Sequence, residues 1–419
     1  MKVLLDLVPG HTSTDHEWFR ESCKAEKNEY TDRYVWTDDI WDDFKDVGSI
    51  TGSIRGFSDR NGCCAVNFGF ARCDKEWQQP MDAPGPMATR EAIKDVMRFW
   101  MSMGCDGFRV DMAGSLVKND DDQEGTIALW QDFRKFMDEE FPECALLSEW
   151  GEPGRSLRGG FHMDFLLHFG PSHYLDLFRV EEPYFSRRGK GDISEFVKTY
   201  EENYAATNRE GLICIPSGNH DMVRIKETLD DEEIKIAFAF LLSVPGAPFI
   251  YYGDEIGMKY LSGIKSVEGG FNRTGSRSPM QWDHSANAGF SSCKPEELYI
   301  QIDPDEDRPT AEDALAGKNS LYDEVKKLIA VRKEHQALQN TAPMEFVYVK
   351  ESAYPLVYKR TGKDETIYIV LNPSGQDVEC DVQIPQHAQS VYSNNGEAAY
   401  ADGKWKVPAA SATFLKVEN

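Results

Sequence analysis

Short apolar runs that end in a charged or polar residue recur along most of this chain. The clearest is 107–111, a predicted strand in which successive side chains point to opposite faces. Phe108 and Val110 then share one face, which we expect to pack under helices. Arg109 and Asp111 share the other face, at the carboxyl end of the strand. The charged face therefore marks a candidate site.

Five further runs predict strands of the same kind, and apolar residues at three- and four-residue steps predict helices between them. The strands are 2–8, 145–149, 163–168, 212–215 and 249–252, and the helices are 87–103, 126–140, 193–203, 237–242 and 321–335. Alternating strands and helices predict a parallel sheet whose loops gather at one end. The predicted fold class is therefore α/β, a (β/α)8 TIM-type barrel with its site at the carboxyl ends of the strands.

The predicted barrel is incomplete, because about six strands are visible and a closed barrel of this type has eight. The run 2–8 already ends in site-like residues, so we expect an N-terminally truncated barrel whose missing units would precede Met1. The strands 2–8 and 249–252 would then be unpaired edges, which favour pairing with another chain. We therefore expect a homo-oligomer formed through these edges.

Two regions depart from the strand and helix alternation. Residues 15–85 are aromatic, charged and irregular, with a Gly-rich patch at 50–62, and predict an inserted subdomain over the site. After residue 340 the pattern becomes alternating, which predicts a C-terminal antiparallel β-sandwich with strands at 346–349, 356–358, 366–371, 378–384 and 412–417. The predicted domains are a catalytic barrel at 1–14 and 86–340, the inserted subdomain at 15–85 and the sandwich at 341–419.

Charge narrows the choice of partners. The 419 residues include 71 acidic and 46 basic side chains, a formal charge of -25 that repels phosphate backbones and anionic lipids. We therefore expect no nucleic acid and no membrane as partner, whereas a neutral, hydroxyl-rich substrate is compatible. The longest apolar region, 234–252, is interrupted by Pro245 and Pro248 and predicts no membrane span. Nine cysteines without metal-type spacing predict reduced thiols in a cytoplasmic protein.

Several predicted strand ends carry polar residues toward the same end of the sheet. They are His11, Arg109 with Asp111, Glu149, and His220 with Asp221. Two carboxyl groups that flank a glycosidic bond are what glycoside hydrolysis requires, one as nucleophile and one as proton donor. A guanidinium beside Asp111 favours the ionised form that a nucleophile needs, and apolar surroundings near Trp150 would favour the protonated form of Glu149.

Each of these residues also has an ordinary structural interpretation. A carboxylate just after a strand is common in so acidic a chain and is often a solvated loop end or a helix cap. His11 alone would fit a hydrogen-bonded turn, Arg109 a structural ion pair and Trp150 the core. The functional interpretation depends on their occurring together.

Four segments resemble, in order, the signature motifs of the α-amylase family, glycoside hydrolase family 13. They are LDLVPGH at 5–11, GFRVD at 107–111, LSE at 147–149 and GNHD at 218–221. RSPMQWD at 277–283, after YGDEIG at 252–257, is similar to the segment that marks the α-glucosidase, oligo-1,6-glucosidase and trehalose synthase branch. The resemblance extends from Met1 to about His335, and a C-terminal sandwich is also expected of the family.

The resemblance implies a role for each matching residue. Asp111 would be the nucleophile, Glu149 the acid/base and Asp221 the stabiliser of the transition state, and His11, Arg109, His220 and Arg277 would line the sugar pocket. The family retains anomeric configuration through a covalent glycosyl-enzyme, so the two catalytic carboxyl groups should lie about 5 to 5.5 Å apart. The expected activity is hydrolysis of short α-gluco-oligosaccharides without a cofactor.

Three departures from the family pattern limit this expectation. Gly10 stands where amylases have an Asn that binds calcium, which argues against calcium at this position. The family's first two barrel strands, which contribute a tyrosine and an aspartate to the pocket, are absent from the sequence. Met112 follows the nucleophile, at a position that helps to set linkage preference in this branch. A bulky methionine there leaves open whether the substrate has α-1,4 or α-1,6 linkages.

Two alternatives to hydrolysis share the same residues. A transglycosylase or isomerase similar to trehalose synthase would use a sugar hydroxyl in place of water. A catalytically silent sugar-binding homologue would fit the missing strands, although the intact Asp111, Glu149 and Asp221 argue against it.

Overall fold

The computed structural model describes residues 1–36, 63–168, 170–265, 267 and 273–419. Their contacts define two compact units, one of Met1–Phe165 with Ala206–Gly211 and one of Leu166–Ala205 with Leu212–Asn419. Each unit contains its own buried apolar core. The domain boundaries expected from the sequence stay predictions, and the Gly-rich patch at 50–62 lies outside the described residues.

The first unit is built around a parallel sheet. Its described strands are β1 (Leu5–Leu7), β2 (His11–Ser13), β3 (Cys63–Ala65), β4 (Gly107–Val110), β5 (Ala145–Ser148) and β6 (Met163–Phe165), and its helices are α1 (Glu17–Ser22), α2 (Pro84–Ser102), α3 (Glu124–Glu140) and α4 (Pro153–Arg158). Strands β1, β4, β5 and β6 are parallel neighbours in that order, so their carboxyl ends lie along one edge. Strands β2 and β3 form a separate antiparallel pair.

The helices of this unit follow from local sequence. Proline at the start of α2 replaces an N–H that would have no partner inside the helix, which favours a helix start there. Ile93, Met97 and Met101 recur at four-residue steps and form the buried face of α2. They share a core with Phe108 and Val110 of β4, so the apolar face of the candidate-site strand packs as the sequence predicts.

The second unit begins with strands and helices and continues into antiparallel sheets. Its described helices are α5 (Tyr174–Phe178), α6 (Ser194–Ala206), α7 (Asp231–Leu241), α8 (Ala311–Leu315) and α9 (Ser320–Glu334), and its strands are β7 (Leu212–Pro216), β8 (Ala247–Phe249), β9 (Met344–Tyr348), β10 (Leu356–Thr361), β11 (Glu365–Asn372), β12 (Val378–Cys380), β13 (Gln389–Asn394), β14 (Ala399–Ala401), β15 (Lys404–Val407) and β16 (Ser411–Glu418). Strands β7 and β8 pair in parallel.

The C-terminal strands form two antiparallel sheets, β13-β16-β11-β10-β9 and β12-β15-β14. Alternation along β10 sends Val357 into a core with Trp405 of the smaller sheet. Its neighbours Leu356 and Tyr358 enter a different core, which includes Phe240 of α7. The larger sheet is thus buried on both faces, and the predicted sandwich shares a core with α7 and α9.

Most predicted elements are confirmed, with ends shifted by a few residues. His11, which alone would fit a turn, instead begins the strand β2, because the backbone of 11–13 pairs with 63–65. The strand predicted at 249–252 ends at Phe249, and the two tyrosines after it bond to other segments. The short strands β13, β14 and β15 and the short helices α1, α4, α5 and α8 were not predicted.

Two further observations concern thiols and membranes. Six of the cysteines whose side chains the structure describes are free thiols: Cys23, Cys73, Cys105, Cys144, Cys293 and Cys380. Among the described helices, none combines the length and the apolar character that crossing a lipid bilayer requires.

Gly107 at the start of β4 offers a test of the sheet. Its φ is 140°, and a Cβ there would lie 2.0 Å from the carbonyl oxygen of Ala145 on β5. We predict that Gly107→Ala lowers the free energy of unfolding by about 3 kcal/mol or more, because backbone strain and a backbone clash add. Urea denaturation measures this loss.

The matched control is Gly104→Ala, since Gly104 also has a positive φ of 100° but has no atom within 4 Å of the added Cβ. We expect a loss of about 1 kcal/mol for this variant. Equal losses in the two variants would contradict a steric origin at Gly107.

Candidate active site

Arg109 lies at the centre of a cluster of carboxylates at the ends of β1, β4 and β5. Its Nη1 donates to Asp6 Oδ1 at 2.7 Å and to Asp111 Oδ1 at 3.0 Å. Its Nη2 lies 2.7 Å from Glu149 Oε2. Burial disfavours the charge of Arg109, but Glu149, Asp6 and Asp111 outweigh it and raise its pKa above the ordinary value. One guanidinium thus brings the predicted nucleophile and acid/base together.

The backbone fixes both carboxylates relative to the sheet. Asp111 N–H donates to Leu7 O of β1 and Glu149 N–H donates to Val110 O of β4, each at 2.9 Å. Met112 then takes a left-handed conformation with φ 46° and ψ 41°, which is uncommon for a residue with a side chain. Its N–H points at Glu149 Oε2 at 3.3 Å. The turn after the nucleophile therefore also contacts the acid/base.

The environment of Glu149 differs from the expected apolar one. Strand alternation turns Trp150 to the other side, where its indole is buried with Trp130 and Phe161. The indole N–H donates to Gln123 Oε1 at 2.8 Å. The immediate partner of the Glu149 carboxylate is the guanidinium of Arg109 rather than the ring of Trp150.

A further carboxyl group, that of Asp164 on β6, contacts the backbone of the segment that carries Glu149. The side chain is fully buried, and burial raises its pKa to about 7 against the hydrogen bonds that it accepts. Its Oδ1 accepts from Ser148 Oγ at 2.6 Å, from Trp150 N–H at 3.0 Å and from Gly151 N–H at 3.3 Å. Asp164 is therefore mostly uncharged below neutral pH.

His11 lies at the start of β2, paired with Ala65 of β3, and its side chain is half-buried. A role of His11 in sugar binding stays a prediction. At the preceding position, a Cβ on Gly10 would meet a methyl group of Leu116 at 3.3 Å. Glycine has no side-chain oxygen with which to bind calcium at this position, and the absence of calcium there stays a prediction.

A second cluster surrounds Asp221 in the other unit. Asp221 Oδ1 accepts from Arg277 Nη2 at 2.8 Å and lies 3.2 Å from Arg273 Nη1. His220 Nε2 lies 3.6 Å from Asp221 Oδ2, and Arg277 Nε donates to the carbonyl oxygen of His220 at 2.8 Å. The three residues predicted in this part of the chain, His220, Asp221 and Arg277, are thus in contact.

The turn that carries Asp221 is shaped by polar contacts. Asn219 Oδ1 accepts from Asp221 N–H at 2.8 Å, and Asn219 Nδ2 lies 3.3 Å from His168 Nδ1. Burial lowers the pKa of His168, although Asp221 opposes this. His168 is therefore mostly neutral at neutral pH and can accept the amide proton of Asn219.

A buried ion pair supports the same turn from below. Asp254 and Arg224 are both fully buried, with Asp254 Oδ1 3.2 Å from Arg224 Nη1. Asp254 Oδ2 accepts from Ser217 Oγ at 2.7 Å, at the start of the turn. A Cβ on Gly218 would lie 2.8 Å from Asp254 Oδ2, so a larger residue would displace this contact.

Two tyrosines hold the segment of Arg277. Tyr251 OH donates to Ser276 O at 3.0 Å and Tyr252 OH donates to Ser278 O at 2.7 Å. Both rings also lie 4.8 Å from the Arg224 guanidinium carbon. The hydroxyl groups flank Arg277 on both sides and fix the backbone from which its guanidinium reaches Asp221.

Sequence reasoning missed four residues of these clusters. Asp6 and Asp164 are acidic residues inside otherwise apolar strands, and that conflict was a usable signal. Asp6 in particular sits opposite Arg109 in the strand register. His168 and Arg273 carried no local signal, because their contacts come from distant loops.

No group of three or more His, Cys, Asp or Glu side chains suited to a metal ion occurs within the described parts of the chain. The expectation that the protein needs no cofactor is not tested by this observation and stays a prediction.

Asp111 and Glu149 are a pair of carboxyl groups held close together by Arg109, and a pair of carboxyl groups is what glycoside hydrolysis uses. Residues 1–341 match the family described as "Alpha amylase, catalytic domain". The chain therefore belongs to the α-amylase family, and the TIM-type fold class predicted from the sequence is confirmed, with the C-terminal antiparallel sheets.

Relatives lie in the branch that the sequence motif indicates. The chain is 28% identical to a trehalose synthase/amylase of Mycobacterium tuberculosis, over 91% of this chain and 69% of that protein. It is 26% identical to an oligo-1,6-glucosidase of Halalkalibacterium halodurans, over 92% and 77% of the two chains. The crystal structure of a Bacillus licheniformis trehalose-6-phosphate hydrolase shares the fold with a TM-score of 0.75, 21% identity and coverage of 100% and 84%.

Asp164 makes the stability of the protein depend on pH. The pKa of Asp164 is about 7 in the folded protein against an ordinary 3.8, so between these values the folded state keeps a proton that the unfolded chain has lost. The free energy of unfolding therefore falls as pH rises through this window. We predict that Asp164→Asn, which cannot titrate, gains stability relative to wild type from pH 4 to 7, by at most about 4 kcal/mol.

Calorimetric Tm values of both proteins at several pH values in this range measure the difference. A difference that does not change with pH would contradict an uncharged Asp164.

Proposed function

We propose that this chain is a retaining α-glucoside hydrolase that acts on short α-gluco-oligosaccharides through a covalent glycosyl-enzyme. The observation that carries the proposal is the shared contact of Asp111 and Glu149 with the two terminal nitrogens of Arg109. Family membership and the names of the relatives support the reaction class.

In the first step, the Asp111 carboxylate attacks the anomeric carbon of the glucosyl unit while the bond to the leaving oxygen breaks. Glu149 gives its proton to that oxygen, and Asp111 becomes the carboxyl ester of the sugar. In the second step, a water loses a proton to Glu149 and attacks the same carbon, which releases Asp111. Two inversions leave the configuration retained.

The three carboxylates around Arg109 differ in their exposure to solvent. Three carboxylates, from Asp6, Asp111 and Glu149, contact a single cation. Glu149 is the least exposed of the three, with 13% of its side chain accessible against 57% for Asp6.

We assign the remaining predicted residues to the sugar. Asp221 supplies negative charge for the oxocarbenium-like transition state, and His11, Arg109, His220 and Arg277 bind the hydroxyl groups of the glucosyl unit. The two arginines on Asp221 restrict the positions its carboxylate can take. Such positioning contributes strongly to rates in glycoside hydrolysis.

We also propose a cytoplasmic location, on the cysteine argument given above, and no nucleic acid or membrane partner, on the charge argument. The absence of a resident cofactor is proposed from the family resemblance. A homo-oligomer formed through unpaired sheet edges stays a prediction. The separation of about 5 to 5.5 Å between the carboxyl groups of Asp111 and Glu149, which a retaining mechanism requires, also stays a prediction.

The nucleophile is tested with p-nitrophenyl α-glucoside. We predict that Asp111→Asn lowers kcat/KM on the order of 10³-fold or more, because the amide cannot form the glycosyl ester. Release of p-nitrophenol measures the rate, and proton NMR of the glucose first released from the same substrate shows the α-anomer if configuration is retained.

The matched control is Asp138→Asn, an exposed aspartate on α3 that pairs with Arg134 in the same unit. We expect its kcat/KM to equal that of wild type. Equal rates for Asp111→Asn and wild type would overturn the assignment, and binding of maltose without any turnover by wild type would favour the sugar-binding alternative.

A second candidate function is intramolecular transglycosylation, favoured by the 28% identity to a trehalose synthase/amylase. The two functions differ only in the acceptor of the glucosyl unit. We predict that maltose yields glucose as the main product, measured by chromatography against trehalose and isomaltose standards. Trehalose as the main product at short times would establish the second function instead.

A further inference from the structure

Asp164 contacts the residues on both sides of Glu149. Its Oδ1 accepts from Ser148 Oγ, one residue before Glu149, and from the N–H groups of Trp150 and Gly151, one and two residues after it. The Glu149 side chain itself reaches Arg109. Glu149 therefore projects from a segment that is held by three hydrogen bonds to one buried oxygen, Asp164 Oδ1.

The hydrogen bonds to Asp164 take over where the backbone hydrogen bonds of the parallel sheet end. Strand β5 ends at Ser148, so the N–H groups of Trp150 and Gly151 lie beyond the strand. Both N–H groups donate to Asp164, and removing their acceptor would leave the buried Trp150 N–H and the part-buried Gly151 N–H unpaired. The segment would then shift to find other partners, and Glu149 would move with it.

A second link extends the same support to helix α4. Ser148 Oγ lies 2.6 Å from Ser156 Oγ, and both hydroxyl groups are fully buried. The chain of contacts runs from β6 through the end of β5 to α4 and uses only small side chains with few rotamers. It therefore has little freedom to relax.

We propose that Asp164 is a positioning residue that sets the placement of Glu149 for proton transfer to the leaving group. The proposal rests on the acid/base role of Glu149 in the proposed function. Asp164 does not touch the substrate. It acts through its hydrogen bonds to residues 148–151. In its uncharged form, Asp164 makes these bonds without adding another negative charge near the carboxylates around Arg109.

The test uses the dependence on leaving group. Maltose has an alcohol as leaving group and needs the proton of Glu149, whereas α-glucosyl fluoride releases fluoride with far less need for an acid. Because kcat/KM reports only the steps up to glycosylation, the ratio of the two values isolates the acid role. We expect Asp164→Leu to lower kcat/KM for maltose about 100-fold and for the fluoride less than about 5-fold.

Asp164→Asn is the conservative variant. Its amide oxygen accepts the same three hydrogen bonds, so we expect both kcat/KM values within about 3-fold of wild type. If Asp164→Leu does not fold, Ser148→Ala removes one of the three contacts and should lower the maltose value about 5-fold or more with the fluoride value unchanged.

The control is Asp120→Asn. Asp120 also accepts from two backbone N–H groups and one hydroxyl, those of Gly125 and Thr126, but at the start of α3. We expect the ratio of the two kcat/KM values to equal that of wild type. Equal losses on both substrates in Asp164→Leu, or no loss on maltose, would overturn the proposal.

A readout that does not depend on activity separates this proposal from the proposed function. Hydrogen–deuterium exchange of the peptide spanning 148–152 should be faster in Asp164→Leu than in wild type and Asp120→Asn. Unchanged exchange would overturn the proposal even in an active enzyme. A wild type that cleaves neither substrate would refute the proposed function, while faster exchange would still support the anchoring.

Discussion

The fork of a single guanidinium ties together the ends of three neighbouring strands. Arg109 holds Asp6 on β1, Asp111 on its own strand and Glu149 on β5, and only 16% of its side chain is exposed. A partly buried cation is tolerated because several carboxylates repay the loss of water. Lysine would carry the charge but not the planar pair of nitrogens, so it could not hold two carboxylates at fixed positions.

The Arg109 cluster and the Asp221 cluster share one arrangement. In each, the reactive carboxylate contacts an arginine, and a separate buried carboxyl group holds the backbone segment that carries it. Glu149 faces Arg109 while Asp164 grips its flanking backbone. Asp221 faces Arg277, and the turn that carries it is anchored through Ser217 to the buried Asp254. The supporting carboxyl groups are fully buried in both cases, and burial raises the pKa of each. A protonated Asp164, or an Asp254 that is paired with Arg224, can accept hydrogen bonds without adding a full negative charge to the site.

Sequence alone was sufficient where a pattern is local and repeated. The alternation of Phe108 and Val110 with Arg109 located the central strand, the face that is buried and the cation that binds Asp111. It was insufficient where the partner is distant, as for β2, whose backbone pairs with residues about fifty positions later. It also misjudged the partner of Glu149, because adjacency in sequence favoured Trp150, whereas a strand turns adjacent side chains to opposite faces.

The C-terminal sandwich is joined to the preceding helices more closely than a tethered module would be. Arg360, fully buried on β10, donates to the carbonyl oxygen of Ser243 just after α7, and the Tyr358 hydroxyl lies 2.5 Å from Ser243 Oγ. The apolar helix α7 is covered in part by this sheet. Exchange of the sandwich between family members would therefore succeed only with a matching α7, so the two segments are constrained to diverge in step during evolution.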